Sequence, residues 1–488
     1  MVSKISDTEE SCEDLALGKN VEKEFDEKTL PFWRKRRYHI VIMMLFGLFC
    51  LLSMRMILSV AIVSMTKTNN ITLDDGTVVE EQEFEWNSKQ QGLILSSFFY
   101  GYMATQLISG FLSARFGGHL VFGISVLGTS ILSLLLPFAA EIHLSVFIAA
   151  RIFQGFFGGG AFTAIIAILA NWAPVNERTF LTNTALMGYY FGNIAAMLLS
   201  GIIIVAWGWR VLFYIFGAIG CICYICWILV VKESPKHDSF ITEAEKKFII
   251  SSIGERKSKK ISHPWKDMLT SLPVWAIAVG HFTTMWGQFT LQTQLPTFLN
   301  DIFNYNIEKT GILSAIPYML LASMLSITGY FADWLQVKGY LTTGQVRRYF
   351  NCFTYLTQMI FMLLVAFNTN PVLTIVYLTL GVGVDAFTWS GYAINALDLA
   401  PSHAAIIKGI GITLGGCSGI LSPLLSGYIV TDKSREQWQL VFFIAAGIYL
   451  FGAVFSWLFV RGSIQPWAKI DLEEMERRNE ASRCNRTS

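Results

Sequence analysis

Long apolar runs separated by polar breaks recur along the chain from His39 to about residue 460. The hydrocarbon of a bilayer takes about 20 helical residues at 1.5 Å each, and the runs have that length. Six lie near 39–65, 91–112, 119–138, 144–170, 181–205 and 210–231, and six more near 273–297, 310–334, 350–368, 371–396, 406–430 and 438–460. The pattern predicts an all-α membrane protein. Its segments are a tail (1–37), a first six-helix half (38–231), a linker (232–272), a second half (273–461) and a second tail (462–488).

Charge orients these pieces. The cluster Arg34-Lys35-Arg36-Arg37 abuts the first span, and the linker carries EAEKKF and ERKSKK. Positive loops stay cytosolic, so both tails (the first read as disordered) and the linker are expected in the cytosol. The loop from Thr66 to Ser88 then lies on the opposite side. Its Asn70-Ile71-Thr72 is a glycosylation acceptor sequence, which makes Asn70 the expected glycan site. Asn485-Arg486-Thr487, in the second tail, is expected to stay unused.

The halves read as distant copies. Gly110-Phe-Leu-Ser-Ala-Arg115 after the second span parallels Gly329-Tyr-Phe-Ala-Asp333 after the eighth. Pro174 is followed by Gly188 and Gly192, and Pro401 by Gly415 and Gly419, at the same offsets. A duplicated bundle places its substrate site between the halves.

Composition removes other classes. The chain is 53% hydrophobic and 15% charged, against about 25% charged in soluble domains. The net charge of +2, with no basic-aromatic groove pattern, gives no reason to expect a nucleic-acid partner. The cysteines are scattered through apolar helices, Cys221, Cys223 and Cys226 among them, and read as packing residues. No H-E-x-x-H, G-x-S-x-G or P-loop pattern occurs, so neither a catalytic residue nor a metal site is expected.

A few polar residues stand out within the spans. Arg55 sits in the middle of the first, where a charge costs about 2.5–3.5 kcal/mol on insertion scales. It either faces a watery pathway, holding an anion with its guanidinium fork, or forms an ion pair inside the bundle. Arg151 in the fourth span is either a second cavity cation or an arginine snorkelling to the surface. Gln154 lies one turn on and shares its face. The run GFFGGG (155–160) and the stripe Gly411, Gly415 and Gly419 read as close helix packing. Asp385 in the tenth span either takes part in coupling or makes a structural hydrogen bond. Asn395, Asp398 and Pro401 read as a helix stop and restart. Tyr100, Tyr189, Tyr190, Trp286 and Gln288 either line a cavity or pack. His281 is a candidate proton relay or a hydrogen-bonded histidine.

The strings Arg55-Met-Ile-Leu-Ser-Val-Ala, SSFFYGYMATQ (96–106), ARFGG (114–118), NWAPVNER (171–178) and ALDLAP (396–401), with Asn395 before the last, now carry a resemblance. In this order the sequence resembles the anion–cation symporter branch of the major facilitator superfamily, which includes sialin, the vesicular glutamate transporters and the type I sodium–phosphate transporters. The resemblance implies a twelve-helix bundle that works by rocker-switch alternating access. It makes Arg55 the anion contact and Arg151 the fourth-span arginine, and puts a latch on Arg115, Arg178 and Asp333. Gln154 and Gly158 stand where the glutamate and sialic acid carriers have acids. Thr284 replaces the seventh-span arginine of the glutamate carriers, and Leu95 their second-span histidine. Ile108 replaces the usual second-span proline and Ala114 the latch aspartate.

The fourth-span pattern looks closest to the sodium–phosphate members. The expected function is secondary transport of organic anions or inorganic phosphate, driven by sodium or by membrane potential. The alternatives are a proton-coupled, sialin-like carrier and a transport-dead sensor or scaffold. No cofactor is expected beyond a coupling Na+ or H+. The partners expected are a small anionic solute and the bilayer, with the chain a monomer. The plasma membrane is the expected location, with lysosomal or vesicular membranes second.

Overall fold

The computed structural model describes residues 34–72, 78–174, 176–253 and 264–469. Ten helical segments among these are long and apolar enough to span a membrane. The second span, Ser88–Phe116, and the seventh, Leu272–Phe303, complete the twelve. Both are diluted by glutamine, serine and threonine.

The boundaries follow the apolar runs, with local refinements. The first span begins at Arg36, so Arg36 and Arg37 belong to the helix and not to the tail. Asn87 and Thr342 start the second and ninth spans with reciprocal capping boxes to Gln90 and Gln345. The loop after the first span is not wholly irregular. It carries an antiparallel hairpin, β1 Thr68–Thr72 and β2 Val78–Gln82, which pairs Asn70 with Glu80. The expected tail before residue 34 and Asn485 lie outside the described residues.

Two spans are broken, and they occupy corresponding places in the two halves. The fourth runs Leu144–Gly158 and Ala161–Trp172, interrupted inside GFFGGG. The tenth runs Pro371–Val384, Ala386–Ser390 and Tyr392–Leu399, interrupted at Asp385 and Gly391. Interrupted spans in matching positions of a repeat are the pointer to a transporter's binding site.

The matching glycines of the repeat let spans approach closely. On the fifth span, Arg178–Trp207, Gly188 and Gly192 sit against the backbone carbonyls of Leu45 and Phe49 in the first. On the eleventh, Ala404–Ile429, a Cβ on Gly415 would lie 2.5 Å from Met285 Sδ of the seventh. The halves meet on the hairpin face. A Cβ on Gly92 would lie 2.6 Å from Pro423 O, and one on Gly311, in the eighth span (Ile307–Val337), 2.6 Å from Met197 O.

The opposite face carries the linker, which is tied down. Its helix Glu243–Ile253 brings Glu245 to the start of the first span. There the carboxylate accepts from the backbone N–H of Arg36 at 2.8 Å and of Arg37 at 3.2 Å. Arg37 is fully buried between Glu245 (3.2 Å) and Glu177 (2.8 Å), and Arg36 pairs with Asp238 at 2.8 Å. A carboxylate on the open N–H groups of a helix start is favoured by the helix dipole as well as by the ion pairs.

Candidate substrate chamber

Between the halves, on the linker side of their contact, lies a cavity of about 130 Å³. A single water needs about 10–15 Å³ on the same measure, so the space suits a small organic solute. Arg55, Tyr102, Gln106 and Tyr189 line it from the first half, and His281, Gln288, Tyr392 and Lys408 from the second. No carboxylate is among its lining residues.

Arg55 is held without being neutralised. Its guanidinium lies 4.7 Å from the Phe99 ring centre and 4.8 Å from that of Phe289, one ring from each half. Nη2 donates to Gln292 Oε1 at 3.2 Å, and Nε has no protein partner. Among the described residues no carboxylate pairs with Arg55, which counts against the ion-pair reading. Aromatic faces stabilise the cation while leaving its hydrogen-bonding edge for a ligand.

Arg151 and Gln154 stand behind this wall. Arg151 is 2% exposed, which removes the snorkelling alternative, and its Nη1 donates to Gln154 Oε1 at 2.5 Å. Gln154 Nε2 reaches Thr129 O at 3.3 Å. The Arg151 guanidinium lies 5.2 Å from the Phe98 ring centre, and Arg55 sits 5.7 Å from the same ring. Two cations thus share one aromatic ring, but only Arg55 reaches the chamber. The break in the fourth span follows Gly158, one turn beyond Gln154; before it Gly155 packs on Phe98 O and at it Gly159 packs on Tyr102 O, as the packing reading expects.

Asp385 lies one side chain away from the chamber. It is 1% exposed and accepts from Gln288 Nε2 at 2.6 Å and from Gln358 Nε2 at 3.3 Å. No cation pairs with it among the described residues. A small separate cavity lined by Gln288, Gln358, Tyr318, Tyr449 and Asp385 encloses it. Gln288 borders both spaces.

A profile of the Major Facilitator Superfamily matches residues 44–421. The chain belongs to the Major Facilitator Superfamily. Relatives place it in the anion–cation symporter branch. It is 37% identical to vesicular glutamate transporter 1 of Xenopus tropicalis over 443 residues, covering 90% of this chain and 77% of that protein. It is 36% identical to vesicular glutamate transporter 2 of Homo sapiens (96% and 82%) and to sialin of Ovis aries (90% and 92%). Among solved structures it resembles an inward-facing bacterial homologue of the lysosomal transporter Spinster, with TM-score 0.67, 12% identity, and 87% and 97% coverage. The inward-open xylose transporter XylE from E. coli gives TM-score 0.65 at 14% identity, covering 90% and 99%. The protein is a transporter, not an enzyme.

The site residues expected from the sequence are brought together only in part. Arg55 and Tyr189 line the chamber, whereas Tyr100 is 39% exposed on the outside of the bundle. Tyr102 takes its place, because two residues along a helix turn a side chain by about 200°. Arg115, Arg178 and Asp333 all lie at linker-face helix ends, yet no ion pair joins them among the described residues. Arg115 instead lies over the Phe116 ring, Asp333 is exposed, and Arg178 Nε is buried without a partner. Among the described residues that face instead carries the ion pairs of Arg36 and Arg37, Lys246 to Glu243 at 3.2 Å, and Arg347 to Asp398 at 2.7 Å. Asp398 therefore ties the tenth span to the ninth, Thr343–Phe367, besides lying near the helix end at Leu399. Pro401 opens a short 3₁₀ turn before the eleventh span, and Asn395 is fully buried.

Lys408, Tyr102, Gln106 and Gln292 were not singled out by sequence. Lys408 lay open to the rule that found Arg55, a cation within an apolar run.

Proposed function

We propose that this transporter carries an organic anion with an apolar or aromatic body, bound in the chamber by Arg55. The observation that supports this is a cation at a cavity whose lining holds no carboxylate. Phe162, Tyr189, Tyr190, Phe289, Trp389 and Ile412 supply mostly apolar wall, which favours an organic body over inorganic phosphate. Thr284 and Leu95 stand where the glutamate carriers are expected to have cationic or titratable groups, so the proposed substrate is an anion other than glutamate.

Asp385 is the proposed coupling group. Inward accumulation of one net negative charge against about −60 mV costs about 1.4 kcal/mol, scaled from 2.3 per 100 mV, so a co-transported cation is needed. A buried carboxylate with only amide donors is suited to take Na+ or H+, and Gln288 links it to the chamber. Sodium is the favoured ion. The linker face is proposed to be cytosolic and Asn70, on the hairpin, to carry a glycan. The plasma membrane remains the proposed location, although the names of the relatives favour a vesicle. Surface biotinylation decides between them.

The test is flux into proteoliposomes for phosphate, urate, sialate, glutamate and aromatic organic anions, with sodium, pH and voltage each clamped in turn. Uptake of an organic anion that Arg55→Ala abolishes in correctly folded protein is expected. Flux indifferent to Arg55, or to any anion, would overturn the reading.

A further inference from the structure

We infer that the chamber has a second anion-binding pole at Lys408, and that its preferred substrate is an elongated dianion. This rests on the proposed role of Arg55 and adds a substrate class to it. Lys408, Ile412 and Gly416 line the chamber from one face of the eleventh span, since residues four apart stack along a helix. Further along the same helix Gly419 packs on Phe99, the ring beneath the Arg55 guanidinium. Lys408 and Gly419 are eleven residues apart, so their levels differ by about 16 Å. The chamber occupies the interval between two cations, one from each half.

Lys408 has no hydrogen-bond or ion-pair partner among the described residues. His281 packs against Gly411, one turn beyond Lys408, with its ring centre 4.5 Å from that of Tyr392. His281 Nδ1 is 3.0 Å from Ile277 O, and a carbonyl can only accept, so Nδ1 carries a hydrogen. The Nε2 of the neutral ring is then an acceptor only, so His281 offers an anion no hydrogen and the pole rests on the Lys408 ammonium. With no acid in the lining, two uncompensated positive charges in a confined space call for two negative ones. The difference of about 16 Å between their backbone levels favours a long dianion over a short one for bridging both. Tyr189, Tyr190, Trp389 and Tyr392 between them suit an apolar or aromatic middle.

The experiment compares matched solutes in proteoliposomes of the full chain: succinate, adipate, suberate and sebacate, each against its own monomethyl ester, which removes one charge. For the longer members the dianion is expected to show a KM about ten-fold below its ester, the worth of one charge-assisted contact, and succinate no such advantage. Lys408→Met, near-isosteric and neutral, should bring the ratio of the two KM values close to one, and Lys408→Gln should match it. Lys408→Arg should keep the advantage. A ratio unchanged by loss of the charge, or absent from the wild type, overturns the second pole and leaves the Arg55 reading standing. Flux of dianion and ester alike that survives Arg55→Ala overturns the anion chamber itself.

Discussion

The Gln288 amide donates to Asp385 Oδ2 at 2.6 Å, and the same side chain lines the chamber that Arg55 faces. One glutamine therefore touches both the proposed coupling group and the substrate space. If a cation or proton settles on Asp385, the Gln288 amide faces a neutralised, weaker acceptor and turns its donor or acceptor toward the chamber more readily. That gives a physical route by which ion occupancy changes anion affinity, with no rearrangement beyond a side-chain turn.

Asp385→Asn tests this route. The substitution keeps the shape and removes the charge. Anion exchange at equal concentrations should persist, while accumulation driven by an imposed sodium or proton gradient should be lost. Counterflow measured beside gradient-driven uptake separates the two. Unchanged ion dependence of uptake would leave Asp385 with a structural hydrogen bond only.

Arg55→Lys should not behave as a conservative change. The planar guanidinium lies over Phe99 and Phe289 while Nη2 reaches Gln292, and a lysine ammonium cannot keep both arrangements. Aromatic–cation contacts are worth about 0.5–2 kcal/mol each, so loss of one raises the KM for the anion by about two- to thirty-fold. Uptake kinetics on protein of normal yield provide the measurement.

Glu245→Ala should destabilise the protein without touching the chamber. It removes one of the carboxylates paired with fully buried Arg37 and uncaps the start of the first span. Removing one member of a buried pair costs about 3–5 kcal/mol. A lower melting temperature in detergent, with an unchanged KM in the surviving protein, is the expected result.

These residues also mark how far the sequence could be read. Twelve apolar runs and Arg55 were legible because a bilayer penalises polar groups so heavily that pattern alone reports position. Tyr100 against Tyr102 was not, since choosing the inward face needs the helix's rotation about its own axis. Arg37 read as a topology signal, and its burial against Glu245 depends on a linker helix two hundred residues away. The second and seventh spans, too polar to count among the most apolar helices, line the chamber through Tyr102, Gln106, His281 and Gln288. Weak hydropathy was itself a signal of function.

The contact between the halves on the hairpin face makes a last prediction. Gly92 approaches Pro423 O so closely that a Cβ would sit 2.6 Å away, and a Cβ on Gly427 would lie 2.5 Å from Ser88 O. Backbone cannot yield as a side-chain tip does. Gly92→Val therefore disfavours the arrangement in which the hairpin face is closed, and should bias the protein toward the opposite state. A single cysteine placed at Ile412, in the chamber, should react more slowly with a charged thiol reagent supplied from the linker face, in a background where native cysteines are replaced. Net transport should fall in parallel, because a cycle needs both states. Faster labelling from the linker face would show that this contact does not hold the closed side together.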